Sequence, residues 1–370
     1  MKTIAVVLGT RPEIIKLAPL IQKLRQGDTF QAHVIASGQH SSMAEQAFSS
    51  FGLKPDLALD LMTPNQSPNS FLASLLPQLE HAFEDLKPSG VIVQGDTTTA
   101  LGGALAAFHA EIPVIHVEAG LRTGNFRSPF PEEMNRVLIS SLTNFHFCHS
   151  EEARTNLANE GIRENVFVVG NTVVDALLQV LTEIESGRLK VSVEVRQLAE
   201  KYPSLILVTG HRRENFDAPL RNLCRALVKV TKEQSSVGVI FPVHLNPNVQ
   251  SVVQSELGTA SQVHLVPPLD YPSFVWLMKQ SALIVSDSGG IQEEAPSLGK
   301  HVFVTRSTTE RPEAVRSGFA EVIALEEPQR LENRLRSFFT DKQFSASAAK
   351  NPFGDGTASA QIAQHLAEML

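Results

Sequence analysis

Carboxylates, arginines and glycines gather at the ends of apolar runs in this chain. Asp96 follows the run 90–93 within Gln94-Gly95-Asp96-Thr97, and Glu118 follows the run 113–117. Glu132 opens a helical pattern in Pro131-Glu132-Glu133-Met134-Asn135-Arg136, and His211 sits in Gly210-His211-Arg212-Arg213-Glu214. Three carboxylates and an imidazole would suit acid/base work at a carbon centre, where one group removes a proton and another returns it. The set would also suit a divalent cation, but the neighbouring basic residues can neutralise phosphate charge themselves, so no metal is expected. Glu132 and Arg136 stand four apart, on one helical face. They read either as a structural ion pair worth about 0.2–0.5 kcal/mol or as a carboxylate whose ionisation the arginine sets.

A second set of residues fits an anion. The pattern Gly-x-Arg-x-Glu occurs at Gly9-Thr10-Arg11-Pro12-Glu13 and again at Gly210 to Glu214, each time between an apolar run and a helical pattern. Glycine lets the chain turn sharply at a strand end, and the helix that follows offers unpaired N–H groups to a phosphate. Asp287-Ser288-Gly289-Gly290 is a similar turn, in which two glycines allow close backbone approach and Ser288 adds a donor. One carboxylate of Glu293 and Glu294 could bind ribose hydroxyls, or the acidic pair could simply complement the helix dipole. Arg311, in Thr309-Glu310-Arg311-Pro312-Glu313, could reach a phosphate or the carboxylates. Phe274 could stack on a base or belong to the core, while His40 and His116 stay open between packing and function. Neither a Walker sequence nor a dinucleotide fingerprint is present.

These residues need a scaffold that brings strand ends together. Apolar runs at 4–8, 32–36, 90–93, 113–117, 145–148 and 166–169 alternate with amphipathic helical stretches. The second half repeats the alternation at 205–208, 237–242, 263–266, 283–285 and 301–305. Continuous apolar strands between helices indicate parallel sheets covered on both faces. The fold class is therefore α/β, with two doubly wound Rossmann-like domains. Ligands of such sheets lie beyond the carboxyl ends of the strands, where Arg11, Gln94, Asp96, Glu118, His211, His244 and Ser288 stand. The runs ending at Asp96 and at Asp287-Ser288 correspond between halves. The expected division is 1–172, 173–355 and a final helical segment, 356–370, that could pack back on the first domain.

Bulk properties agree. The 370 residues carry a formal net charge of -7, with 42% hydrophobic and 19% charged residues. That composition suits a globular protein with two cores and argues against nucleic-acid binding. The two cysteines, Cys148 and Cys224, lack metal-site spacing and read as thiols in a reducing compartment. No apolar run approaches the roughly 18 residues that span a bilayer. A functional-looking turn as early as Gly9 argues against a cleaved leader, so a cytoplasmic location is expected.

Taken in order, these motifs resemble the bacterial non-hydrolysing UDP-N-acetylglucosamine 2-epimerases. The resemblance rests on Gly9-Thr10-Arg11-Pro12-Glu13-x-x-Lys16, Gln94 to Thr97, His116-Val117-Glu118-Ala119-Gly120-Leu121-Arg122, Pro131 to Arg136, Gly210 to Asn215, Asp287 to Glu294 and Thr309 to Glu313. It implies a glycosyltransferase-B-like pair of domains with UDP in the cleft between them, and a homodimer. It also implies inversion at C2 of UDP-GlcNAc to UDP-ManNAc, by anti elimination of UDP to 2-acetamidoglucal and syn re-addition. No cofactor is required. Asp96, Glu118, Glu132 and His211 would be catalytic. Arg11, Lys16, Arg136, His244, Phe274, Ser288, Gly289, Gly290, Glu294 and Arg311 would bind the substrate. The competing readings are a hydrolysing relative, an epimerase of a modified UDP-sugar, and a glycosyltransferase of the same fold.

Overall fold

The computed structural model describes residues 1–38, 42–63, 66–210, 215, 217–340 and 350–370. Two compact units emerge, one of residues Met1–Gln179 and Phe353–Leu370, the other of Val180–Pro352. The expected boundary at 172/173 falls at the start of the helix Thr172–Glu185, whereas the units part further along that helix, between Gln179 and Val180.

In the first unit the chain alternates strand and helix. It runs through β1 (Lys2–Leu8), α1 (Arg11–Gln26), β2 (Phe30–Ala36), α2 (Ser42–Ser50), β3 (Leu57–Ala58), α3 (Pro68–Leu86) and β4 (Gly90–Gln94). It continues through α4 (Thr98–His109), β5 (Val114–Ala119), α5 (Glu132–Leu142), β6 (Phe145–Cys148), α6 (Glu151–Asn159), β7 (Val166–Val168) and α7 (Thr172–Glu185). All strands pair in parallel in the order β3-β2-β1-β4-β5-β6-β7. Strand order reverses between β1 and β4, and that switch point opens a crevice for ligands. Val7, Val93, Leu75, Leu79 and Ala104 fill the core under α3 and α4. Gly103 lets α4 lie close to the sheet, since a Cβ there would come within 2.9 Å of Val93 and 3.2 Å of Val7.

The second unit repeats the scheme. Its elements are α8 (Val193–Ala199), β8 (Ser204–Thr209), α9 (Ala218–Glu233), β9 (Val237–Pro242), α10 (Pro247–Leu257), β10 (Val263–Val266) and α11 (Tyr271–Gln280). Then come β11 (Leu283–Ser286), α12 (Gly289–Glu294), β12 (His301–Val304), α13 (Pro312–Arg316), β13 (Ala320–Val322) and α14 (Pro328–Thr340). The parallel order is β10-β9-β8-β11-β12-β13, with its own reversal between β8 and β11. Val208, Leu227, Val239, Phe241, Val285, Phe303 and Leu331 belong to one core. The strands ending at Gln94 and at Ser286 hold the same place in their sheets, as their sequences anticipate.

The chain returns to the first unit as α15 (Ala358–Met369), which packs on α1 and buries Ile362 and Leu366. Asp175 of α7 accepts the Ser359 N–H at 2.7 Å and so caps the helix from outside, since Thr357 supplies no side-chain cap. Sequence patterning finds neither β3 nor β13. Both are short edge strands with one neighbour each, where no continuous apolar run is required. Among the described residues, no helix is long and apolar enough to cross a membrane.

Candidate active site

At the switch point of the first sheet, one buried carboxylate ties two loops together. Glu13 accepts the Gly9 and Thr10 N–H groups through Oε2, at 3.0 and 2.7 Å. Its Oε1 accepts the Thr97 hydroxyl at 2.7 Å. The turn after β1 and the turn after β4 are thus fixed on one side chain. Burial pushes the Glu13 carboxyl up from its ordinary range, and these hydrogen bonds oppose the shift.

Asp96 lies in the second of these turns. Arg136 donates to its Oδ2 from Nε at 3.0 Å and also from Nη2. Asn135, one residue earlier on α5, holds the Asp96 carbonyl at 2.9 Å. Burial raises the Asp96 pKa, the Arg136 charge lowers it, and the nearby Glu118 carboxylate raises it again. The Asp96 side chain nevertheless keeps 24% of its surface accessible. This is an ionisable group at the edge of solvent, balanced between opposing influences.

Glu118 occupies a β-bulge. The register of β5 on β6 shifts between Val117 and Ala119, and Glu118 has φ +65°. A bulge re-aims a side chain out of the strand alternation, and positive φ in a non-glycine residue carries strain often found at functional sites. Glu118 Oε2 receives Lys16 Nζ in a buried ion pair, Gln94 Nε2 at 2.9 Å and Asn171 Nδ2 at 3.3 Å. Gly120, with φ +85°, follows where any Cβ would strike the Ala153 carbonyl at 2.2 Å. The bulge and the glycine together carry the chain off the sheet toward α5.

The pairing of Glu132 with Arg136 does not form. Arg136 Nη1 donates instead to Glu133 Oε2 at 2.9 Å, and Glu133 Oε1 accepts the N–H groups of Thr123 and Gly124 at 2.8 and 2.9 Å. Glu133 is fully buried and staples the loop after β5 to α5. Position i+3 wins over i+4 because the returning loop delivers two donors to Glu133. Glu132 is half-buried and stays outside this network.

In the second unit, Thr209 and Ser286 share a hydrogen bond of 2.7 Å across the β8–β11 reversal, and Ser286 Oγ accepts the Ser288 N–H at 3.0 Å. Ser288 is the N-cap of α12, whose first residues are Gly289 and Gly290. Arg311 is buried against them: a Cβ on Gly289 would lie 3.5 Å from its guanidinium, and its Nε donates to Glu293 at 2.6 Å. Glu294 accepts the Tyr271 hydroxyl at 2.7 Å. Phe274 is half-buried on α11, one turn after Tyr271, and His244 is exposed after β9.

Of the residues singled out in sequence, Lys16, Asp96, Glu118 and Arg136 lie in one polar network in the first unit. Arg11 begins α1, with its guanidinium against the Met43 sulfur. Ser288, Gly289, Gly290, Glu294 and Arg311 surround the β11–α12 turn in the second unit. His211 and His40 lie outside the described residues. Patterning overlooks Glu133, Asn171 and Tyr271. Glu133 stands inside the quoted Pro131–Arg136 motif; Asn171 and Tyr271 give no signal short of tertiary structure. Among the described residues, no group of three or more His, Cys, Asp or Glu side chains is arranged to hold a metal ion.

Two parallel sheets in Rossmann strand order, one with a carboxylate network and one with a glycine turn at its switch point, define a glycosyltransferase-B-like nucleotide-sugar protein. A family model described as UDP-N-acetylglucosamine 2-epimerase matches residues 22–367. The UDP-N-acetylglucosamine 2-epimerase of Salmonella typhimurium is 44% identical over 368 residues, covering 97% of each chain. The UDP-GlcNAc 2-epimerase of Neisseria meningitidis, solved bound to UDP-GlcNAc, is similar at TM-score 0.90 and 41% identity, with 100% of both chains covered. The S. aureus MnaA–UDP structure gives TM-score 0.91 at 38% identity, covering 100% of this chain and 97% of that one. The chain belongs to the UDP-N-acetylglucosamine 2-epimerase family and is an isomerase.

Proposed function

We propose that this chain interconverts UDP-GlcNAc and UDP-ManNAc without releasing free sugar, using the carboxylates of its first unit for proton transfer. The observation that carries the reading is the placement of Asp96 and Glu118 at the ends of neighbouring strands, Asp96 in an ion pair with Arg136 and Glu118 in one with Lys16. Both Arg136 hydrogen bonds to Asp96 end on Oδ2, so Oδ1 is left for a substrate proton.

The C2 proton of the sugar is weakly acidic, so its removal and the departure of UDP must assist one another. One carboxylate of Asp96, Glu118 and Glu132 takes the C2 proton. The C2–H electron pair becomes the C1=C2 bond of 2-acetamidoglucal, and the C1–O bond breaks with its pair on the β-phosphate oxygen. A proton returned to the opposite face of C2, with attack of that oxygen at C1, completes inversion. Ser288, the Gly289-Gly290 turn and Arg311 hold the diphosphate, with Arg11 as a further cation. Glu294 takes the ribose, and Phe274 the uracil. Lys16 and Arg136 aim Glu118 and Asp96. His211 assists at the leaving phosphate, and His244 binds the nucleotide. No metal or nicotinamide is needed for these steps, and a hydrogen that exchanges with solvent is not carried as hydride.

The test is turnover of UDP-GlcNAc in D₂O followed by NMR. Deuterium at C2 of UDP-ManNAc supports the reading, free sugar with UDP replaces it by hydrolysis, and absence of turnover refutes it. Asp96→Asn should abolish C2 exchange while UDP still binds; loss of UDP binding would make Asp96 structural. The same reading takes the protein as a cytoplasmic homodimer. The exposed Phe108, Met134 and Leu138 on adjacent helices and the free thiols of Cys148 and Cys224 support it, and sedimentation tests the dimer.

A further inference from the structure

His116 is fully buried on β5, the strand that also carries Glu118. Its Nε2 lies 2.8 Å from the Gly95 carbonyl. A carbonyl only accepts, so Nε2 carries the hydrogen and Nδ1 is bare. Nδ1 is buried and meets no hydrogen-bond partner among the described residues, which suits a lone pair and not an N–H. The ring is thus neutral, and burial carries its pKa down to about 3. A group of that kind does not exchange protons with a substrate near neutral pH.

Its position matters through the neighbour it holds. Gly95 has φ +67° and immediately precedes Asp96. The Gly95 N–H donates to the Val117 carbonyl at 3.0 Å, so β5 grips both ends of that residue, by its N–H and, through His116, by its C=O. Asn135 then takes the Asp96 carbonyl, and Arg136 takes Asp96 Oδ2. Val117 lies between His116 and Glu118, so the strand that aims one carboxylate also fixes the turn bearing the other. Without the Nε2–H, the glycine turn would lose its carbonyl restraint, leaving the Gly95 N–H, the Asn135 amide and the Arg136 pair to hold Asp96.

We infer that His116 is a positioning residue for this reaction, whose Nε2–H fixes the Gly95 peptide and thereby the reach of Asp96 toward the sugar. The inference rests on the proposed role of Asp96. A displacement of about 1 Å at a reacting group costs about 10²-fold in rate. His116→Phe keeps the ring volume and removes the donor. It should lower kcat about 100-fold with KM changed less than about threefold, in protein whose circular dichroism is that of the wild type. His116→Gln places an amide N–H at about the reach of Nε2 and should recover kcat to within about tenfold of wild type. A Phe variant with wild-type kcat overturns the inference, as does a Gln variant no better than Phe. If the Phe variant does not fold, imidazole ¹⁵N shifts of the wild-type protein at pH 7 decide: the neutral Nε2–H tautomer supports the inference, and an Nδ1–H tautomer or an imidazolium overturns it. Asp96→Asn is measured alongside. If it turns over normally, the reading of Asp96 falls and takes the inference with it; if it is inactive while His116→Phe is not, only the inference falls.

Discussion

Glu132 and Glu133 are adjacent in sequence yet should fail in opposite ways when their charge is removed. Glu133 is fully buried, receives two backbone N–H groups and faces the Arg136 guanidinium. In Glu133→Gln the amide oxygen can keep the two N–H bonds, but the amide nitrogen then meets Arg136 donor to donor. Breaking one side of a buried pair costs about 3–5 kcal/mol. For a domain of this size that lowers Tm by roughly 6–20 °C. Glu132 is half-buried and outside the network, so Glu132→Gln should change stability by less than about 0.5 kcal/mol. Under the proposed mechanism it should still lose turnover by about 10²-fold or more. Thermal unfolding and NMR-detected turnover, run on both variants, give a crossed pattern. A Glu133→Gln protein as stable as the wild type would refute the reasoning about the staple. A fully active Glu132→Gln protein would remove Glu132 from the chemistry.

Two further outcomes follow from other contacts. Tyr271→Phe removes the hydroxyl that orients Glu294, and the UDP dissociation constant measured by calorimetry should rise about three- to tenfold. An unchanged constant would detach Glu294 from the ribose. Asp175 is buried, and burial raises its folded pKa above the ordinary 3.8. The unfolded chain therefore ionises first as pH rises, and stability falls from about the unfolded pKa until the folded pKa is passed. Asp175→Asn keeps an acceptor for the Ser359 N–H and removes the charge, so its Tm should equal or exceed that of the wild type at pH 7, the difference fading toward pH 3.5. A lower Tm at pH 7 would mean that the ionised carboxylate is the better cap.

The sheets are legible in sequence because parallel strands buried on both faces leave continuous apolar runs, whereas the need for glycine at Gly9 is set by distant residues, since a Cβ there would meet Ser37 and Thr99 at 2.5 and 2.6 Å. The places of Asp96 and Glu118 at strand ends can be read from the same runs. The partners of those carboxylates cannot. Lys16 is 102 residues from Glu118, and Arg136 is 40 from Asp96. The choice between Glu132 and Glu133 depends on where Thr123 and Gly124 return, which no helical spacing records. The bulge at Glu118 is equally silent, since the run Val114–Ala119 reads as an ordinary strand. Edge strands β3 and β13 escape because one-sided pairing asks little of their composition.

The return of Phe353–Leu370 to the first unit has a consequence for how the protein is made. The second unit is, in chain order, an insertion within the first. During synthesis at about 5–20 residues per second, roughly 10–40 s separate the emergence of α7 from that of α15. Through that interval the nascent first unit keeps the apolar seat of Ile362 and Leu366 uncovered, and by its end all of the second unit has been delivered. The later-born unit is therefore the first that can finish folding, and the carboxylate-bearing unit depends on a helix that emerges after the whole of the second unit.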